Sequence, residues 1–139
     1  MKSIYPKEKI NSILGSKEVG DFFNKYNLSS VITFGSINTD DFNEESDVDI
    51  AIIGDNKIEL GPILELEMYL ESLLNREIDV IDLRSENLDL FLKIGILNEG
   101  KIIYTDDNNC CLQKFEEKLD RIYRENENFI YFRKKDVLS

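Results

Sequence analysis

The spacing of apolar residues predicts alternating helices and strands along the chain. Between residues 7 and 26, apolar side chains recur every three or four positions, which predicts one helix, with a broken helix as the alternative because Gly15 and Gly20 weaken its middle. The runs VITF (31–34) and VDIAII (48–53) are rich in β-branched residues and each ends at a glycine. They predict two buried strands, so the first half is expected to fold as helix, strand, strand.

The alternation continues in the second half. Pro62 suits the first turn of a helix, and apolar residues at helical spacing extend that helix to Leu74. The run EIDVIDL (77–83) predicts a third strand. Ser85 is predicted to cap the next helix, which Gly100 ends.

Two further elements complete the pattern. KIIYT (101–105) predicts a short strand at the edge of the sheet, and apolar spacing predicts a last helix over about 110–132. The predicted order is αββαβαβα. This order is typical of an α/β or α+β fold with a small mixed β-sheet flanked by helices.

The chain length and composition favour one soluble globular domain. The 139 residues are 42% hydrophobic and 32% charged, and they contain no low-complexity linker. We therefore expect a single domain over residues 1–139, with its core at about 28–105. No apolar run approaches the roughly 20 residues that span a bilayer, and the N-terminal residues lack the apolar block of a signal peptide. We expect a cytoplasmic protein with no membrane association.

The net charge and the absence of histidine limit the binding partners and catalytic mechanisms that this chain can have. The net charge of −11 argues against direct nucleic-acid binding, because Lys and Arg contacts to phosphates supply most nonspecific affinity. A basic partner protein, or a ligand whose charge a metal balances, fits better. Without histidine, imidazole acid–base catalysis and the Ser-His-Asp and Cys-His mechanisms are excluded. The adjacent Cys110 and Cys111 match no disulfide framework or zinc spacing, so we interpret them as ordinary intracellular thiols.

Three aspartates on predicted strands form a candidate metal site. Asp47 and Asp49 lie two residues apart at the start of a strand, so their side chains share one face. Neighbouring carboxylates repel each other unless a cation lies between them, and hard carboxylate oxygens suit Mg²⁺ or Mn²⁺. Asp79 would be the third ligand if its strand pairs beside 48–53. Asp82 points to the opposite face from Asp79 and is predicted to be structural.

A glycine and a serine precede these aspartates. Gly35 allows the backbone to approach a phosphate closely, and Ser36 offers both a hydroxyl and an N–H donor. Gly35 and Ser36 are predicted to bind the β- and γ-phosphates of a nucleotide. Asp47 and Asp49 are predicted to hold a metal ion that bridges to them, while Asp79 binds a second ion and accepts the proton of an attacking hydroxyl.

At these residues the sequence resembles the nucleotidyltransferases of the DNA polymerase β superfamily, whose signature is Gly-Ser, a spacer, Asp-x-Asp and a later strand aspartate. Because the chain is short, it resembles the minimal nucleotidyltransferase (MNT) group within that superfamily. The resemblance covers most of the chain. It implies two Mg²⁺ ions, with Mn²⁺ as an alternative, and ATP as the substrate.

The resemblance also implies a biological partner. Many MNT proteins act as antitoxins of HEPN-domain ribonuclease toxins, and for some the family resemblance implies transfer of AMP to a toxin tyrosine. We therefore expect a basic HEPN toxin as the partner, in a hetero-oligomer, with a homodimer as a further option. The sequence departs from the family after Ser36, where INTDD places Asp40 and Asp41 near the expected triphosphate.

Two alternatives stay open on the sequence alone. Added negative charge from Asp40 and Asp41 should weaken ATP binding, which would leave an MNT-fold antitoxin that neutralises its toxin by binding alone. The other alternative is a small-molecule nucleotidyltransferase of the aminoglycoside-modifying type. Such enzymes usually need a second substrate-binding domain, and little chain remains after Asp107 to build one.

Overall fold

A computed structural model describes residues 5–125, which fold into five α-helices and a four-stranded sheet. The elements in chain order are α1 (Lys7–Leu14), α2 (Lys17–Lys25), β1 (Leu28–Phe34), a short 3-10 helix (Gly35–Asn38), β2 (Val48–Gly54), α3 (Leu60–Leu74), β3 (Ile78–Asp82), α4 (Leu90–Glu99), β4 (Lys101–Thr105) and α5 (Cys110–Glu125). This mixed α/β architecture matches the polymerase β-like fold that the sequence predicts.

The sheet has the order β3-β2-β1-β4. Strand β1 pairs antiparallel with both β2 and β4, whereas β2 and β3 are parallel. The sheet is therefore mixed, and β4 lies at an edge as predicted. The register matters for the site, because it places Asp49 opposite Phe34 on β1 and opposite Asp79 on β3.

Helices cover both faces of the sheet, so the domain has two apolar cores. On one face, α1, α2 and α3 pack on Val48, Ile50 and Ile52 of β2. On the other face, α4 and α5 pack on Ala51 and Ile53 of the same strand. Strand β2 is buried on both sides, which explains its continuous aliphatic run. By strand alternation, Asp49 belongs to the face that carries Ala51 and Ile53.

The structure decides between the two alternatives for the N-terminal helix and corrects the start of β1. The predicted N-terminal helix is two helices, because Gly15 ends α1 and Ser16 caps α2 by accepting a hydrogen bond from the Val19 N–H at 3.4 Å. Strand β1 starts at Leu28 rather than 31, since Ser29 and Ser30 are buried in the sheet despite their weak strand propensity.

Ser85 does not cap α4, so that prediction is wrong. The helix begins at Leu90, and Asp89 occupies the position before it. The Ser85 backbone instead forms a turn: its N–H donates to the Asp82 carbonyl at 2.9 Å, and its carbonyl accepts from Leu88 at 3.3 Å. This turn satisfies the backbone groups between β3 and α4, and it leaves Ser85 outside the helix.

The C-terminal part of the last predicted helix lies outside the described residues. Helix α5 is described to Glu125, whereas the sequence predicts a helix to about 132. In the part that is described, Cys111, Leu112, Phe115 and Leu119 form the buried face of α5, at the helical spacing expected. No helix within residues 5–125 combines the length and apolarity needed to cross a membrane.

Candidate active site

The sheet register brings the predicted carboxylates together. Asp49 and Asp79 are directly opposite each other in the parallel β2–β3 pair, and Asp47 precedes β2 by one residue. Paired residues of adjacent strands lie about 5 Å apart, and their side chains share a face. Asp47 and Asp79 are exposed and Asp49 is half-buried, so the three carboxylates border solvent at one end of the sheet.

The neighbouring carboxylates affect the ionisation of Asp49. Burial raises the pKa of the Asp49 carboxyl, and the negative charges of Asp79 and Asp47 raise it further. Among the described residues, no Lys or Arg forms an ion pair with any of the three. The charge that accumulates here has no ion-pair partner among residues 5–125, and a divalent cation binds favourably to such uncompensated carboxylates.

The donor chemistry fits a hard divalent metal ion, although the ligand set is not preassembled. Within residues 5–125, no three acidic or thiol side chains converge closely enough to form a complete metal-binding cluster. Carboxylates that repel one another hold their oxygens apart, and Asp47 and Asp79 have solvent around them in which to change rotamer. Oxygen ligands on adjacent strands are the type that Mg²⁺ and Mn²⁺ prefer.

Gly35 contacts the central carboxylate. It follows β1 directly, opens the 3-10 helix and has a positive φ of 78°. A Cβ added to Gly35 would lie 2.5 Å from Oδ2 of Asp49, well inside van der Waals contact. Glycine is therefore required here twice, once by the backbone conformation and once by the Asp49 side chain.

Ser36 lies next to this contact with its hydroxyl available. Its carbonyl accepts hydrogen bonds from the Thr39 N–H and hydroxyl, both at 2.9 Å, which close the 3-10 turn. The Ser36 hydroxyl makes no hydrogen bond to another residue in the range 5–125. The segment therefore presents a free hydroxyl beside the aspartates, where a phosphate oxygen could accept from it.

Asp82 has a structural role, in agreement with the face on which the sequence places it. It is 4% exposed, and its two carboxylate oxygens accept hydrogen bonds from the backbone N–H groups of Ile58 at 2.8 Å and Arg84 at 3.0 Å. These bonds tie the loop before α3 to the end of β3. Asp82 is thus committed to the fold and is not an alternative to Asp79.

Two residues near the site escape sequence analysis. Glu67 on α3 has a raised pKa, caused first by burial and then by the negative charges of Asp79 and Glu71. Arg76 lies between α3 and β3 and contacts the loop that leads to Asp47. Neither residue belongs to a recognisable spacing pattern, because their proximity to the aspartates depends on how α3 packs beside β3.

Comparison with known proteins defines the class. Residues 17–109 match the family described as Polymerase beta, Nucleotidyltransferase, and this range exceeds half of the chain and includes all five predicted site residues. The chain belongs to this nucleotidyltransferase family.

A relative in Methanocaldococcus jannaschii, which carries the name of a protein adenylyltransferase, is 40% identical over 57 residues. That stretch covers 41% of this chain and 58% of the relative. The chain thus matches little more than half the length of this relative.

Solved structures share the fold over nearly the whole chain. One is described as a toxin–antitoxin with AMP-PNP: it has a TM-score of 0.64 and 22% identity, and the match covers 97% of this chain and 100% of that one. Another is a complex of the tri-AMPylated Shewanella oneidensis HEPN toxin with an MNT antitoxin, with a TM-score of 0.62, 19% identity, and coverage of 96% and 100%. At these identities the likeness establishes the fold.

Proposed function

We propose that this protein is a metal-dependent nucleotidyltransferase that moves AMP from ATP to a hydroxyl of a HEPN-domain ribonuclease toxin and thereby acts as its antitoxin. The observation that carries the proposal is the in-register pairing of Asp49 with Asp79, with Asp47 beside them and Gly35 against Asp49. The antitoxin role is supported by the AMP-PNP and tri-AMPylated complexes among its structural relatives.

Each residue has a defined task in this reaction. Asp47, Asp49 and Asp79 would hold divalent ions, Mg²⁺ or Mn²⁺, which supply charge neutralisation at the triphosphate. Gly35 leaves room for the phosphates, and Ser36 donates a hydrogen bond to one of their oxygens. Asp79 accepts the proton of the attacking hydroxyl. A bond forms between the acceptor oxygen and the α-phosphorus, the bond from that phosphorus to the bridging oxygen breaks, and pyrophosphate leaves.

The partner is proposed from charge as well as from structural relatives. A net charge of −11 favours association with a basic protein, and we propose that the HEPN toxin is basic and that its acceptor is a tyrosine. ATP as the donor is consistent with a cytoplasmic location, which belongs to the same proposal.

Asp47→Asn tests the catalytic assignment. Loss of a metal-binding carboxylate removes several kcal/mol of transition-state stabilisation, so we expect the rate of AMP transfer to fall roughly a thousandfold. The matched control is Asp55→Asn, which changes an exposed aspartate beyond the opposite end of β2 and should transfer at the wild-type rate. A fully active Asp47→Asn protein would refute the assignment.

The exposed Asp40 and Asp41 favour a second candidate function, in which the fold neutralises the toxin by binding alone. Both follow the Ser36 turn, where their negative charge would repel a bound triphosphate and weaken its binding. Cell growth under toxin expression separates the two functions. If transfer is needed, Asp47→Asn with Asp49→Asn abolishes protection while Asp55→Asn retains it. If binding is sufficient, the wild type, the double variant and Asp55→Asn protect equally.

A further inference from the structure

Arg76 connects three separate segments of the chain close to Asp47. It follows Asn75, which ends α3 in the left-handed conformation with φ 55°, and it precedes β3. Its Nη1 donates to the carbonyls of Asn43 at 2.8 Å and Ser46 at 2.7 Å, and its Nη2 donates to the Tyr5 carbonyl at 3.2 Å. One guanidinium thus joins the N-terminal segment, the loop before β2 and the start of β3.

The guanidinium also packs against the loop. Its carbon lies 4.4 Å from the centre of the Phe42 ring, which is within the range of a favourable cation–π contact. Its Nε is buried and has no hydrogen-bond partner in the described part of the chain. A planar group can stack on a ring and bond two carbonyls with one nitrogen, whereas the ammonium of lysine is a compact charge on a flexible stem.

The loop that Arg76 contacts is a preformed turn. The Ser46 N–H donates to the Asn43 carbonyl at 3.1 Å, the Asn43 N–H donates to Ser46 Oγ at 3.0 Å, and the Glu45 N–H donates to Asn43 Oδ1 at 2.8 Å. Arg76 bonds the first and last carbonyls of this turn. It therefore fixes the turn as a unit with respect to the sheet.

Asp47 comes directly after the turn, and its backbone is fixed on both sides. On the N-terminal side of Asp47, the Ser46 carbonyl accepts a hydrogen bond from Arg76. On the C-terminal side, the Val48 N–H donates to the Glu77 carbonyl at 3.0 Å. Arg76 and Glu77 are adjacent in the chain. Consequently the segment that enters β3 determines the position of the Asp47 backbone, from which the carboxylate extends.

We propose that Arg76 is a positioning residue that holds Asp47 in place for metal binding. This inference rests on the proposed function, because it assigns Arg76 a role in the same site. Asp47 is exposed and has no side-chain hydrogen bond within residues 5–125, so its position depends on its backbone. If Arg76 releases the turn, Asp47 samples more positions, and ordering it costs part of the metal-binding free energy.

Arg84 provides a matched control at the other end of β2. Its Nε donates to the Gly54 carbonyl at 2.6 Å, its Nη2 contacts Cys111 Sγ at 3.2 Å, and its carbon lies 5.7 Å from the centre of the Phe115 ring. Both arginines therefore bond carbonyls at an end of β2 and approach an aromatic ring. Only Arg76 does so beside the aspartates.

The test compares Arg76→Lys with Arg84→Lys in the full chain. Amide hydrogen exchange over residues 39–47 reports the turn, and Mn²⁺ binding in the presence of a non-hydrolysable ATP analogue, followed by electron paramagnetic resonance, reports the site. In Arg76→Lys we expect exchange over 39–47 and the Mn²⁺ dissociation constant each to rise about tenfold, through the loss of charge-assisted hydrogen bonds. Arg84→Lys should change neither the exchange over residues 39–47 nor the Mn²⁺ dissociation constant, even if its melting temperature falls as much as that of Arg76→Lys.

Unchanged exchange over 39–47 in Arg76→Lys would overturn the proposal, as would Mn²⁺ affinity that falls equally in both variants. AMP transfer at saturating Mn²⁺ provides a third comparison, in which Arg76→Lys should recover to within about twofold of wild type because excess metal compensates weaker binding. A wild-type protein that transfers no AMP would contradict the proposed function. In that case exchange and Mn²⁺ binding still decide the role of Arg76.

Discussion

Gly35 and Asp49 constrain each other at the centre of the proposed site. In Gly35→Ala, the left-handed conformation alone costs about 1–2 kcal/mol, and the new methyl group would displace the Asp49 carboxylate, which lies 2.5 Å from its position. We expect a lower free energy of unfolding, measured by urea denaturation, together with weaker metal binding.

Gly95→Ala is the matched control for this change. Gly95 lies within α4, and a methyl group added there would meet no atom within 4 Å. Alanine favours the helix over glycine by about 1 kcal/mol, so this variant should be more stable and should keep its metal binding. Equal effects of the two substitutions would contradict the close contact of Gly35 with Asp49.

The pKa of Asp49 predicts a pH-dependent stability in the absence of metal. Because burial and two neighbouring carboxylates raise it above 3.8, the folded protein binds this proton more tightly than the unfolded chain does. The resulting stabilisation is fully present below pH 3.8 and is lost as pH rises through the folded-state pKa. At neutral pH the ionised Asp49 therefore destabilises the metal-free protein.

Asp49→Asn should remove that destabilisation. In EDTA we expect a higher melting temperature than wild type at pH 7, with a difference that shrinks as pH falls towards 4. Mn²⁺ should raise the melting temperature of wild type more than that of the variant. A difference between the two proteins that does not change with pH would show that charge at Asp49 is not its cause.

At the scale of secondary structure, the boundary between α1 and α2 depends on one serine. Ser16 Oγ accepts from the Val19 N–H and donates to the Ile13 carbonyl at 2.6 Å, so it joins both helices. We expect Ser16→Ala to lower the free energy of unfolding by about 1 kcal/mol, the usual cost of losing an N-cap. Ser12→Ala, at an exposed position in α1, should change it by less than about 0.5 kcal/mol. Similar losses in both would rule out the cap.

The contrast between Ser16 and Ser85 shows how far local patterns predict elements. The sequence predicts a cap at Ser85 and places Ser16 inside the N-terminal helical pattern. The structure uses Ser16, while Ser85 belongs to the turn after Asp82, whose carboxylate holds the neighbouring loop. The choice depends on the buried position of Asp82, which involves a segment 24 residues away. Periodicity predicts that α4 exists but cannot determine where it begins.

The candidate site likewise contains some residues that the sequence predicts and others that only the tertiary structure reveals. Asp47 and Asp49 are placed on one face by strand alternation, and the later strand with an aspartate in an aliphatic run predicts Asp79, so these could be found from sequence. Arg76 and Glu67 could not, because their proximity to the aspartates results from the packing of α3 and the path into β3. The proposed ligand-binding residues belong to a sequence motif, whereas the residues around them can be identified only from the tertiary structure.

At the scale of the whole molecule, the chain is acidic, and three of its aspartates lie at one end of the sheet without an ion-pair partner among residues 5–125. The net charge of −11 and the three aspartates both favour positively charged partners, a basic protein in one case and divalent ions in the other. An enzyme needs both partners at once, since the acceptor hydroxyl must reach the α-phosphate while the metal neutralises it. A binding antitoxin needs only the first.

The most direct test of enzymatic activity is a mass measurement. The purified chain is incubated with Mg²⁺, ATP labelled at the α-phosphate and its proposed partner, a HEPN-domain ribonuclease toxin, and the products are analysed by intact-protein mass spectrometry. We predict that the HEPN protein gains one or more AMP units with the wild type and with Asp55→Asn, and none with Asp47→Asn. A stable complex in which the HEPN protein gains no AMP would contradict the proposed transferase and would identify an antitoxin that acts by binding.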